Sequence, residues 1–343
     1  MLAIFADDLT GALDSAAPFA ARGLHTEVAL DADGIGLALA LQPAVVSINL
    51  GSRDGKPEAA ADATRSALSQ LPAGTQVLKK IDSRLKGHIA IELAAIPFHH
   101  ALVAPAIPEF GRIVASGTVT GFGVDTPIAI AEKLSARAKD CTIPDIATEA
   151  EMRDALERAF TAGVDLLVGA RGLADALARR MTGDAAPKLA SIPKGRALFV
   201  IGSRDPITVA QIDALKRLCE VDDRLAPNGQ LTDAEPNAQS LTLVRAVQGQ
   251  GVCSGQEAAA CLAASVVPAM THAASTLLLS GGSTAEAVLS RMGISRFRLL
   301  GECLPGLGLA YVDGQCIIAK SGGFGQPDTL VKIAAATGDE MGR

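Results

Sequence analysis

Two neighbouring carboxylates, Asp7 and Asp8, follow the apolar run Leu2 to Phe5 and precede an Ala-rich stretch that ends at Arg22-Gly23. Either carboxylate alone could simply cap the helix that starts there. The pair, however, stands at the C-terminal end of a first strand, where open α/β sheets bind their ligands. Arg53 comes shortly after a similar run, Ala44 to Ile48, and the turn Lys80-Ile-Asp-Ser-Arg-Leu-Lys-Gly87 follows another, Gln76 to Lys79. That turn places Lys80, Arg84 and Lys86 beside Asp82 and Ser83, a set suited to holding a carboxylate or a phosphate. Charge runs are more often solvated surface, but this one repeats the strand-to-helix placement of the first two. A further run, Ala101 to Ala104, leads to Pro105-Ala-Ile-Pro-Glu-Phe-Gly-Arg112, where two prolines stiffen the loop that presents Glu109 and Arg112.

In the C-terminal half the candidate chemistry passes from side chains to backbone. Thr276 to Leu279 runs into Ser280-Gly281-Gly282-Ser283-Thr284, and Cys316 to Ala319 runs into Lys320-Ser321-Gly322-Gly323-Phe324-Gly325. Glycines let the chain approach an anion closely, the free N–H groups of a helix start point at it, and the helix dipole adds positive charge. Lys320 contributes a cation to the second loop, and Ser203, in a third strand-to-helix turn after Ala197 to Ile201, can donate to a phosphate oxygen. Two glycine clusters in one half suggest a nucleotide. Each alone could be loop punctuation, since neither has the P-loop spacing or the dinucleotide fingerprint.

The elements that must position these groups alternate between strand and helix. Thr26 to Leu30, Asp165 to Val168 and Leu241 to Val244 read as further strands, and Pro57 to Leu71, Asp125 to Ala162, Gly172 to Arg180 and Glu257 to Val267 as helical. That order predicts parallel βαβ units with right-handed crossovers. Residues 184–195 break the periodicity with two prolines and a glycine, which places a domain boundary near residue 190. The expectation is an α/β protein of two domains, 1–190 and 191–343, each a mostly parallel sheet flanked by helices.

Length supports that division, because 343 residues exceed one core of roughly 150 residues. Hydrophobic residues make up 49% of the chain and aromatics only 3%, so Ala, Val, Leu and Ile must fill the interior, as suits helices packed on parallel sheets. A net charge of -6 offers no general basic field for nucleic acid or an acidic membrane surface. The six cysteines and five histidines show no zinc spacing; the cysteines read as reduced core thiols and the pair His99 and His100 as structural. With no basic leader and no long apolar segment, the expected location is cytoplasmic. A homo-oligomer is compatible with all of this.

Five motifs in order then carry a resemblance: Ala6 to Asp14 (ADDLTGALD), Lys79 to Gly87 (KKIDSRLKG), Ala104 to Arg112 (APAIPEFGR), Ser280 to Leu289 (SGGSTAEAVL) and Ala319 to Gly325 (AKSGGFG). Together they resemble the signatures of the four-carbon acid sugar kinases. The resemblance implies an N-terminal sugar-acid-binding domain, a C-terminal nucleotide-binding domain and an active site in the interdomain cleft. It also implies phosphorylation of threonate, erythronate or a 3-oxo-tetronate with ATP and Mg²⁺. Asp8, or failing it Asp7 or Asp82, is the candidate base for the terminal hydroxyl. Arg53, Lys80, Ser83, Arg84, Lys86 and Arg112 fall on the sugar-acid side, and Ser203, Gly281, Gly282, Ser283, Thr284, Lys320, Gly322 and Gly323 on the ATP side. Asn49-Leu50, Arg84 and Arg204-Asp205 depart from the family pattern. They keep open a non-catalytic binding protein on the same fold, and the doubly wound pattern keeps open a dinucleotide-dependent oxidoreductase.

Overall fold

In a computed structural model, which describes residues 1–236 and 239–338, the chain divides into two compact units, Met1–Lys188 and Leu189–Arg343. The first contains β1 (Leu2–Ala6), α1 (Leu9–Ala21), β2 (Thr26–Ala29), α2 (Ala32–Leu39), β3 (Val45–Asn49), α3 (Pro57–Ser69), β4 (Gln76–Lys80), α4 (Ile89–Ala95) and β5 (Ala101–Ala104). It continues through β6 (Arg112–Ala115), β7 (Thr118–Gly121), β8 (Ile128–Ala129), α5 (Ile130–Leu134), β9 (Cys141–Thr142), α6 (Glu149–Thr161), β10 (Leu166–Gly169) and α7 (Arg171–Thr182). Its main strands run β2-β3-β1-β4-β10-β5-β9, every neighbouring pair parallel. β1, β3 and β5 are buried along their whole length, as strands covered on both faces must be.

β1 lies between β3 and β4, so the chain leaves it to opposite sides of the sheet. That reversal is a topological switch point. It gathers the residues that follow β1, β3 and β4 at one carboxyl edge, bringing Asp7 and Asp8, then Ser52 and Arg53, then the 81–87 turn into one neighbourhood.

The reading of 125–162 as one helical stretch does not hold. β6, β7 and β8 form a separate antiparallel sheet, and helix is confined to the short α5, a 3₁₀ helix at Ser135–Asp140 and α6, with β9 between the last two. Ser116 and Gly117, with φ of 50° and 70°, make the tight turn between β6 and β7, a conformation that matches the twist of a hairpin. Thr148 and Glu151 form a capping box, which starts α6 at Glu149 and leaves the residues before it outside the helix.

The second unit contains β11 (Ala197–Ile201), α8 (Pro206–Leu218), β12 (Asp222–Pro227), β13 (Leu241–Val247), α9 (Gly255–Val266), α10 (Ala269–His272) and β14 (Thr276–Ser280). It ends with α11 (Gly282–Arg291), β15 (Arg296–Leu304), β16 (Leu307–Val312), β17 (Gln315–Lys320) and α12 (Thr329–Thr337). Its strands run β12-β13-β11-β14-β17-β16-β15. Phe199, Leu215, Leu243, Leu278, Ile318 and Leu330 meet in its core. The pairs from β12 to β17 are parallel, whereas β15, β16 and β17 form an antiparallel meander that the alternating pattern did not predict. The hairpin turn at Asp313-Gly314, with φ of 48° and 86°, makes parallel pairing impossible there.

Only Cys303 and Cys316 of the six free cysteines lie in the core; the other four are half-buried. Among the described residues no helix is long and apolar enough to cross a membrane.

Candidate functional site

Arg53 is the hub of the first unit's carboxyl edge. Its Nε and Nη2 donate to Asp7 Oδ2 and Oδ1 at 2.8 and 2.7 Å, its Nη1 lies 2.7 Å from Asp8 Oδ2, and Asp82 Oδ2 lies 3.9 Å from Nη1. The loop that carries Arg53 is itself tied to Asp7, whose carbonyl accepts the Ser52 and Arg53 amides. Burial pushes the Asp7 carboxyl up, but the Arg53 hydrogen bonds and the charges of Lys79, Arg53 and Lys80 outweigh it and hold it below the usual carboxylate range. Arg53 is correspondingly raised, its own burial being offset by Asp7, Asp8 and Asp82. An arginine so occupied has little left to offer a ligand's carboxylate.

The three acids differ in what they keep free. Asp7 is sealed and doubly bound. Asp8 caps α1, accepting from the Gly11 amide at 2.7 Å and from Thr10 Oγ1 at 3.0 Å in addition to pairing with Arg53. Asp82 uses Oδ1 to accept the Arg84 amide at 2.9 Å and the Lys86 amide at 3.5 Å, while its Oδ2 has Arg53 only at 3.9 Å.

Cations that form no ion pair with a carboxylate among the described residues lie alongside. Arg112 donates to Ser83 Oγ at 2.5 Å and, through Nε and Nη2, to the Phe122 carbonyl at 3.0 and 2.8 Å, all neutral acceptors. Burial and then the repulsion of Arg84 lower its pKa, against the attraction of Asp82. Lys80 is buried, yet no described residue accepts a hydrogen bond from its Nζ. Its Nζ and Asp8 Oδ1 both lie close to Gly11, 3.1 and 2.7 Å from where a Cβ there would be. Arg84 and Lys86 are exposed.

Behind this edge is a pair that sequence reasoning missed. Lys79 Nζ and Glu92 Oε2 are 3.0 Å apart with side chains 0% and 1% exposed, and Ser52 Oγ donates to Glu92 Oε1 at 2.5 Å. A lysine inside an apolar strand was the available signal, because a buried ammonium requires a buried partner.

In the second unit the three strand-to-helix loops close on one another. A Cβ at Gly202 would strike Thr284 Oγ1, and one at Gly322 would strike Ser203 Oγ. Gly281 takes φ 106°, and α11 begins after it with no side-chain cap, so its first N–H groups remain available to an anion. Nothing lies within 4 Å of a Cβ built on Gly282. Ser283 is exposed, while Gly323 approaches Asp205, where a Cβ would stand 3.1 Å from Oδ2.

Lys320 does not present its charge as the sequence suggested. It is fully buried, and its Nζ donates to Thr208 Oγ1 and to the Ser321 and Gly322 carbonyls at 3.2, 3.0 and 3.2 Å, so it braces the glycine loop from within. Burial, opposed by Asp205, pushes its pKa down to about 8. The unfolded chain therefore binds more protons between pH 8 and the ordinary 10.5, and unfolding free energy is expected to rise with pH through that window. Urea titrations of the parent and Lys320→Met at pH 7.5 and 10 check this. An equal pH increment in both would refute it.

A pocket of about 180 Å³ adjoins the loops, lined by Gly202, Arg204, Thr284 and the start of α9 at Cys253, Ser254 and Gly255. Sequence reasoning did not find this wall. The Ser254-Gly-Gln-Glu257 capping box was its legible sign.

Residues 2–128 match the sugar-binding N-terminal domain family and residues 231–330 the nucleotide-binding C-terminal domain family. The chain is 30% identical to the D-threonate kinase of Cupriavidus necator over 95% of each chain. It is 28% identical to the 3-oxo-tetronate kinase of Methylobacterium radiotolerans, over 95% of this chain and 97% of that one. A D-erythronate kinase of Heliobacterium modesticaldum is 35% identical over 33% of this chain and 28% of its own. Among solved structures, a Salmonella typhimurium LT2 protein shares the fold with a TM-score of 0.74 and 18% identity, covering 96% of this chain and 98% of that one. A Haemophilus influenzae protein does so with 0.67 and 19%, covering 97% and 99%.

Proposed function

This chain belongs to the four-carbon acid sugar kinase family, and on that premise we propose that it transfers the terminal phosphate of ATP to the terminal hydroxyl of a tetronate-type acid. The observation that carries the residue roles is the division of charge at the first unit's carboxyl edge. Arg53 is neutralised by Asp7 and Asp8, whereas Lys80, Arg84 and Arg112 are not neutralised by carboxylates in the same way. A substrate carboxylate is attracted to those three cations, with Lys86 at the rim. The hydroxyl end then falls to the acids, where Asp82 Oδ2 has the least occupied lone pairs and takes the proton. Arg53 acts as a positioning residue that sets Asp7 and Asp8.

As the acceptor oxygen forms its bond to the γ-phosphorus, the bond from that phosphorus to the β–γ bridging oxygen breaks, and ADP departs. Phosphoryl transfer of this kind depends mainly on positioning and charge neutralisation. The uncapped start of α11 with Ser203, Ser283 and Thr284 supplies donors for the phosphates. Mg²⁺ supplies charge neutralisation when bound to ATP. Asp205, whose Oδ2 stands beside the glycine loop at Gly323, would be the carboxylate in the second unit able to hold that ion.

The test is an ADP-release assay on the full chain across threonates, erythronates and 3-oxo-tetronates. ATP consumption that no four-carbon acid stimulates would reject the kinase reading and leave the binding-protein alternative; binding of NADH but not ATP would favour the oxidoreductase. Gly282→Val is expected to weaken ATP binding about 10- to 100-fold, through one or two lost charge-assisted hydrogen bonds, and to spare the acid. The site has room for the side chain, so calorimetry reads ligand loss rather than misfolding. Unchanged ATP affinity with lost acid affinity would reverse the assignment of the two ligands.

A further inference from the structure

The antiparallel sheet β6-β7-β8 ends against the substrate-side cation Arg112. Val114 and Val119, a register pair, are buried and anchor the hairpin, and Val114 exchanges both backbone hydrogen bonds with buried Ile146 at 2.9 Å. Arg112 begins β6 and pairs with Gly121 at the end of β7, so the hairpin returns the chain to Arg112 at residues 121–123. Gly121, with φ of 95°, lets the strands meet there, since a Cβ would strike the Gly111 carbonyl oxygen. The Phe122 amide donates to that carbonyl at 3.0 Å, and the Phe122 carbonyl in turn accepts from Arg112 Nε and Nη2. From the other side Ser83 Oγ, buried in the turn after β4, accepts from Nη1. The Phe122 side chain is 68% exposed, so the loop is held at Arg112 by its backbone rather than by a buried ring. Carbonyl and hydroxyl oxygens satisfy N–H groups without cancelling the charge, unlike the carboxylates around Arg53. Two of the five N–H groups of Arg112, one on each terminal nitrogen, have no acceptor among the described residues.

Resting on the reading of Arg112 as a holder of the substrate carboxylate, we infer that this sheet is a positioning device for it. The Phe122 carbonyl and Ser83 Oγ fix the guanidinium through neutral acceptors and leave its charge and its two remaining N–H groups to the acid. Phe122 and Ser83 act through Arg112 and are positioning residues. An arginine ordered before the acid arrives loses less side-chain entropy on binding, so the device lowers KM for the acid and leaves ATP unaffected. Carboxylates in the same two places would order the side chain equally well but would take the charge that the acid needs.

Gly123, with φ of 72°, carries the test, because a Cβ there would stand 3.0 Å from Arg112 Nη2. Gly117, with φ of 70° in the β6–β7 turn, is its control: substitution there strains the backbone comparably, and a Cβ meets nothing within 4 Å. In the full chain, Gly123→Ala is expected to raise KM for D-threonate or D-erythronate, whichever the parent turns over faster, about 3- to 30-fold, and to keep KM for ATP within about twofold. Gly117→Ala should lose similar stability to denaturant and keep both KM values. Arg112→Lys keeps the charge but cannot span the Phe122 carbonyl and Ser83 Oγ together. It should raise KM for the acid about 10- to 100-fold, and adding Gly123→Ala to it should change nothing further. A parent-like KM for the acid in Gly123→Ala or in Arg112→Lys, an equal rise in Gly117→Ala, or additive effects in the combined variant overturns the inference. If the parent releases no ADP with any four-carbon acid, the kinase reading falls alone, and calorimetry with D-threonate and D-erythronate on the same variants decides the positioning role. A parent that binds neither acid overturns both.

Discussion

Asp82→Asn is expected to lower kcat by about two to four orders of magnitude, the usual range for a lost general base, with KM for ATP nearly unchanged. The substitution is conservative for the turn, since an amide oxygen can still accept the Arg84 and Lys86 amides that Asp82 Oδ1 now accepts. What it removes is the proton-accepting capacity of Oδ2, the carboxylate oxygen with no close partner. Asp8→Asn keeps the helix cap, because Asn caps as well as Asp, but it weakens the contact to Arg53. It should therefore disturb acid binding together with turnover. Steady-state kinetics on both variants separate the roles. Turnover of Asp82→Asn within tenfold of the parent, with collapse of Asp8→Asn, would return the base to Asp8.

Glu92→Leu is expected to cost about 3–5 kcal/mol of stability, because it strands the Lys79 ammonium in a site from which water is excluded. With side chains 0% and 1% exposed, neither partner can turn to solvent when the other is lost. The Phe5 carbonyl, 3.3 Å from Lys79 Nζ, is a weak substitute. Ser52 Oγ would lose its acceptor as well, loosening the loop whose next residue is Arg53. Denaturant unfolding measures the loss. Adding Lys79→Met should recover much of it, as apolar replacements of whole buried pairs often do. A double variant no more stable than Glu92→Leu would mean that the pair contributes through packing rather than charge.

The order of apolar runs and the identity of the residues just after them are legible in the amino-acid sequence by itself. A parallel sheet buries its strands on both faces, which writes them into the chain as short uninterrupted apolar segments, and ligand groups collect at their carboxyl ends. For that reason Asp7, Arg53, Lys80, Asp82, Ser203 and Gly281 can be named from position alone. The antiparallel pieces are less legible: the Ser116-Gly117 and Asp313-Gly314 turns carry a local hairpin signal, but the strands they join carry the same apolar residues as parallel ones. Partnership is not legible at all. That Arg53 turns to Asp7 and Asp8, that Lys320 bonds its own loop and that Lys79 meets Glu92 depend on which long side chain reaches which acceptor once water is expelled. Charge and type are local properties of a residue, whereas desolvation and distance belong to neighbours brought in from elsewhere in the chain; only the folded packing could therefore distinguish a cation free to hold substrate from one already bound.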